Sequence, residues 1–249
     1  MKFQHSTIAT ALAAGITGLA TAGIPVMTVS VSSSGGGSGS QTPTGTAVAG
    51  SPNQYRYDSS PPIFAPGNFV SSYTLYAMDS QAAGRQAMGG LITVINSSAT
   101  TQTYTVNVSA STFAQAGATL LSGSMSGALQ DAAGDGATFA IGGTSGGWAG
   151  FINNGGSSTQ VGSLFSAPLT VSAAPWMTAQ IAGQSFGIPT ALSSATSMGT
   201  SSSIRITFQL SAGDRVDLTT AFVVAVPAPG AFALAAAAGL VGTTRRRRA

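Results

Sequence analysis

Six aspartates are the only acidic side chains in this 249-residue chain, which contains no glutamate, and they bound its chemistry. There is no cysteine, and the single histidine, His5, stands near the start. From residue 6 onward the chain cannot assemble a Ser-His-Asp triad, a Cys-His pair or a His/Cys zinc site. Glycoside hydrolysis needs only two carboxyl groups, and the pool for it is Asp58, Asp79, Asp131, Asp135, Asp214 and Asp217. Asp214 and Asp217 flank Arg215 at what reads as the start of a strand, an ordinary place for solvated turn charges. Nothing in the pattern marks two of them as a working pair, so catalysis is not expected.

Two weaker constellations remain. In Asp131-Ala132-Ala133-Gly134-Asp135-Gly136 the oxygen ligands at positions 1 and 5 and the glycine at 6 match a calcium loop. Position 3 is Ala133 and position 12 is Gly142, so Asp131 and Asp135 make a weak calcium site at best. Asp and Gly also serve plain hairpin geometry, and no other cofactor is implied. Trp148 with Asn153 and Asn154 offers an aromatic face and amides, a combination that suits carbohydrate. Trp148 and Trp176, the only tryptophans, are each better suited to anchoring the sandwich core.

The C-terminal stretch 226–249, VPAPGAFALAAAAGLVGTTRRRRA, has three parts in order. Val226, Pro227, Ala228, Pro229 and Gly230 form a breaker, since proline fixes φ and lacks an N–H. An apolar run through Gly242 follows, and then Arg245, Arg246, Arg247 and Arg248, which favour the cytoplasmic side of a membrane. A helix over 229–244 spans about 24 Å at ~1.5 Å per residue, short for ~30 Å of hydrocarbon but adequate for transient insertion.

This tail resembles the PEP-CTERM sorting signal of bacterial envelope proteins, with Ala228 where the family usually has glutamate. The resemblance implies recognition by an exosortase-type membrane protease. Cleavage would fall near Pro227 to Gly230, and the protein would pass transiently through the inner membrane of a Gram-negative-type envelope to the cell surface or beyond. The segment 123–137 and Leu210-Ser211-Ala212-Gly213-Asp214 are similar to stretches of PEP-CTERM proteins, without a catalytic residue to carry over. Exopolysaccharide is the partner such systems suggest.

Residues 1–22 read as a secretory leader, with Lys2 ahead of an apolar run and Ala20-Thr21-Ala22 as a small-residue cleavage pattern. With leader and tail set aside, four arginines face six aspartates, a net −2. The basic pI of 9.7 therefore belongs to the tail, and the footprint of a nucleic-acid binder is missing.

The remaining elements must position these residues. Charged side chains are 6% of the chain, and Ser, Thr, Gly and Asn are abundant, a composition of strands with wet Thr/Ser faces and glycine turns. Residues 23–66 read as a linker with one stray strand, on the flexible run SSSGGGSGS and the five prolines from Pro43 to Pro66. From residue 67 to 226 apolar residues recur with period two. The run 91–95 is expected to pair with 103–108 as a hairpin, and 204–210 with 216–226. Further strands are expected near 120–129, 137–141, 148–153, 161–165 and 169–173, a tight turn at Asn154-Gly155, and weak helix at 115–118 and 189–198. The expected fold is all-β, a single β-sandwich of jelly-roll or Ig-like kind, between an N-terminal signal helix and a short apolar C-terminal helix. The expected role is a non-enzymatic surface or biofilm-matrix protein. The alternative is a surface-displayed carbohydrate-binding module.

Overall fold

The computed structural model describes residues 23–80, 84–143 and 146–227. The leader, and the tail from Ala228 onward with its four arginines, lie outside the described residues. Among the described residues the chain is all-β: seventeen strands, numbered in chain order, form two antiparallel sheets that enclose one core. No helix among these residues is long and apolar enough to cross a membrane.

The first sheet runs β12 (Ser157–Leu164), β11 (Trp148–Asn154), β16 (Ser201–Leu210), β8 (Gln102–Ser111), β1 (Met27–Ser33) and β2 (Ser38–Gln41). Beside β11, β16 also pairs with β10 (Ala137–Ile141), which carries β13 (Leu169–Ala173). The second sheet runs β14 (Thr178–Phe186), β9 (Thr119–Gln130), β17 (Arg215–Ala225), β7 (Arg85–Asn96), β6 (Phe69–Ser80), β4 (Gln54–Asp58) and β3 (Thr46–Ala47). Short β15 (Leu192–Ser194) and β5 (Ile63–Ala65) edge β9 and β6.

Alternation decides which side chains enter the core. In β6 every second residue from Phe69 to Asp79 is buried, and in β17 Val216, Leu218, Thr220, Phe222 and Val224 are buried. Aromatic rings bridge the sheets in two groups. Phe69, Tyr104, Phe208 and Phe139 stack in a chain with centroids 5.4–6.0 Å apart. Trp148 meets Phe186 and Phe222 edge-on, at 5.8 Å each.

The expected strands at 137–141 and 169–173 are β10 and β13. The turn between β11 and β12 is Gly155-Gly156, both with positive φ (55° and 91°), the geometry of a two-residue hairpin that glycine adopts without strain. Both expected hairpins are corrected. β7 lies in the second sheet and β8 in the first, and β16 and β17 are likewise split. Alternation reports which face is wet and not which strand is the neighbour. Asn96 ties the two crossings together. Fully buried at the end of β7, its Nδ2 lies 2.9 Å from the carbonyls of Thr100, Leu210 and Ser211, and its Oδ1 accepts from Ser98.

The linker expectation for 23–66 is also corrected, because β1 to β5 lie there. Met27, Val29 and Val31 are buried, and β1 pairs along its whole length with β8. The Gly/Ser run forms the β1–β2 hairpin. A Cβ on Gly37 would come within 2.7 Å of Asn68, and one on Gly39 within 2.5 Å of Ile63. These glycines permit close packing where flexibility was expected. The helical hints also fail: Gln115 bridges to Met198, and 192–194 form β15.

Among the described residues one inward strand position is acidic. Asp79 continues the buried face of β6 with 6% exposure, and among the described residues its Oδ1 has no hydrogen-bond partner. Burial pushes its pKa up from 3.8 to about 6. A raised carboxyl favours the folded state only while protonated. Its contribution is therefore full below about pH 3.8 and is lost as pH rises through about 6. Asp79→Asn is expected to raise stability at pH 7.5 by on the order of 2 kcal/mol. The gain should vanish near pH 4, as thermal melts at the two pH values will show.

Candidate functional site

The sequence-predicted residues fall at three places. Val226 follows β17 directly. It is 6% exposed, and its N–H donates to the Gly84 carbonyl at 2.7 Å. Pro227 is the last described residue, so the sandwich reaches up to the first residue of the breaker. Ala228, Pro229, Gly230 and Arg245 to Arg248 lie outside the described residues.

The second place is the loop between β9 and β10. Asp131 is buried, Asp135 is exposed, and Asp214 from the β16–β17 crossing joins them, with one carboxylate oxygen of each within 4.8 Å of the others. Asp214 was not expected here, because it is 83 residues from Asp131 in sequence and only the crossing of chains between sheets brings them together. Asp131 Oδ1 accepts the Gly134 N–H at 2.9 Å and Oδ2 the Trp176 N–H at 2.6 Å. Asp214 accepts from the Ala132 N–H at 3.3 Å and from the Ser211 hydroxyl. Burial opposes ionisation of Asp131, but the Trp176 and Gly134 N–H groups hold its pKa below the ordinary carboxylate value. Burial, reinforced by the Asp131 charge, raises that of Asp214. Calcium takes six to eight oxygens. Three carboxylates are at hand, but the two buried ones already serve as acceptors for loop N–H groups, so the geometry fits loop closure better than a full calcium shell.

The third place overturns the sugar-platform expectation at Trp148. Its side chain is fully buried, and the indole Nε1 donates to Thr220 Oγ1 across the core at 2.7 Å. A ring with no exposed face cannot stack on a ligand. Asn153 turns its amide to Ser201 and Ser203 at 3.1 and 3.3 Å, and exposed Asn154 closes the β11–β12 turn. The three residues share a strand but no binding surface. Trp176, the other expected core anchor, is instead 72% exposed in the β13–β14 turn. Sequence periodicity carries no signal for either outcome, since Trp176 lies outside any strand.

The remaining carboxylates have structural occupations. Asp58 pairs with Arg56 and Asp217 with Arg215, each at 2.9 Å. A surface depression of about 230 Å³ over β10, β13 and β16 is lined by Thr103, Thr170, Thr207 and Gln209 among others, with no titratable group.

No protein-family model matches this chain, and no curated protein does. Among solved structures it is similar to TmCBM61, whose structure is described in complex with β-1,4-galactotriose, at 10% identity and a TM-score of 0.25. The match covers 63% of this chain and 90% of that one. At that score the likeness carries no argument about fold or ligand.

Proposed function

We propose that this chain is an exported, non-enzymatic β-sandwich held at the cell surface or in the extracellular matrix, delivered by its PEP-CTERM-like tail. The observation that carries this reading is the junction at Val226. Val226, the buried residue that follows the strand β17, is itself followed at once by Pro227, so cleavage between Pro227 and Gly230 would free the tail and leave the described fold whole. A signal that overlapped the sandwich could not be removed without unfolding it. In this reading Pro227, Pro229 and Gly230 are recognised by an exosortase-type protease, the apolar run halts in the inner membrane, and Arg245 to Arg248 fix its orientation. The non-enzymatic part rests on the occupations of Asp131, Asp214, Asp58, Asp217 and Asp79, which serve loop closure, arginine pairing or the core.

The test is a Pro227→Ala, Pro229→Ala double variant in the producing cell. The unaltered chain should leave the membrane fraction, and the variant should accumulate there with its tail attached. Equal release of both proteins would contradict the reading.

A further inference from the structure

We propose that Trp176 is a binding platform for a neutral saccharide chain. Three features converge on its ring. The indole is 72% exposed, the most exposed of the large apolar side chains among the described residues. Its backbone has φ = +63°, a conformation that a bulky residue adopts only when its surroundings impose it. What imposes it is visible. The Trp176 N–H is held at 2.6 Å by Oδ2 of Asp131, a carboxylate only 1% exposed, whose Oδ1 also holds the Gly134 N–H. The indole then lies directly on Gly134, where a Cβ would come within 2.1 Å of ring atom Cζ2. One buried carboxylate thus fixes both the ring's own backbone and the glycine bed beneath it. The inner face of the indole is covered and the outer face is left to solvent, in a preset orientation.

The left-handed φ serves the chain reversal from β13 to β14, where the Met177 N–H donates to the Ala174 carbonyl at 2.9 Å, but the exposure of the ring has no return within the fold, since the ring adds nothing to the core. That exposure is repaid by a ligand that meets a rigid flat face, because preorganisation lowers the ordering cost of binding. The electron-rich face of an indole attracts the polarised C–H bonds of a pyranose ring. The neighbouring segments carry exposed polar side chains able to meet hydroxyl groups: Asp135 on the loop beside Gly134, and the paired Gln130 and Thr178 at the adjoining ends of β9 and β14. A basic partner is less suited. A single ring is no aromatic cage, and Asp131 and Asp214 are turned inward to backbone donors. An anionic membrane is disfavoured by the net −2 of the described residues. The inference deepens the surface-display reading by naming a ligand class, but its test does not depend on how the chain is sorted.

The full chain has two tryptophans, one fully buried and one exposed, so acrylamide quenching of fluorescence separates Trp176 from Trp148. Neutral β-linked gluco- and galacto-oligosaccharides are titrated in. The expected result is saturable protection and a blue shift of the exposed component. Trp176→Ala should weaken binding by at least about ten-fold, as measured by calorimetry, with an unchanged melting temperature. Asp135→Asn should weaken it by about three-fold. Protection by none of these oligosaccharides, or undiminished binding by Trp176→Ala, would overturn the proposal. So would protection by phosphatidylcholine vesicles or by polylysine alone, which would assign the ring to a membrane or to a basic partner.

Discussion

Trp148→Ala is expected to cost about 3–5 kcal/mol, the range for emptying a fully buried aromatic site. The ring fills the space between β11 and β17, where Phe186 and Phe222 meet it edge-on and Thr220 takes its N–H. Collapse around the void is restricted, because both sheets are continuous on either side of it. For a domain of this size each kcal/mol lowers the melting temperature by roughly 2–4 °C, so a fall of about 6–20 °C should be seen by circular dichroism. Trp148→Phe should cost less, about 1–2 kcal/mol, because it keeps a ring and loses chiefly the cross-core hydrogen bond. A change in the alanine variant no larger than in the phenylalanine variant would mean that the ring is not the packing element described here. Loss of ligand binding on Trp148→Ala would report unfolding and would not locate a sugar site.

Removal of residues 23–41 is expected to abolish cooperative folding. That segment holds β1 and β2, and with it go buried Met27, Val29 and Val31, together with the cover over Val106 and Val108 of β8. Burial of each such side chain is worth about 1.5–3 kcal/mol. Three of them, roughly 5–9 kcal/mol on that scale, compare with a net stability of about 5–15 kcal/mol for a whole domain. The shortened protein should show no sigmoidal melt and should bind a hydrophobic dye. A truncated chain that melted as sharply as the full one would restore the reading of this stretch as a linker.

That stretch shows where the sequence was legible and where it was not. β6, β8, β16 and β17 announce themselves because each has one wet and one dry face, and a period of two survives in a single chain. β10 and β13, at 137–141 and 169–173, were placed by the same signal. Neighbours were not legible. Leu91 to Ile95 and Thr103 to Val108 look like a hairpin by spacing, yet Asn96 sends the chain to the opposite sheet, a choice made by hydrogen bonds to Leu210 and Ser211 far along the sequence. The Gly/Ser run before residue 41 misled because a glycine that admits Ile63 and one that loosens a coil are written identically. The candidate site failed for a related reason. Composition singled out Trp148 and Trp176 without saying which was inside. Trp148 proved to be core, and the exposed position of Trp176 depends on Asp131 and Gly134, 45 and 42 residues before it. Asp131 and Asp135 were found by spacing, whereas Asp214 arrives from the other end of the chain.

The measurement that bears most directly on the proposed sorting is the intact mass of the protein recovered from the envelope and the medium of the producing cell. The account predicts a species that lacks residues 1–22 and ends between Val226 and Gly230, with the sandwich complete. A membrane-bound species that still carries Arg245 to Arg248 at steady state would contradict it and would make the tail a permanent anchor.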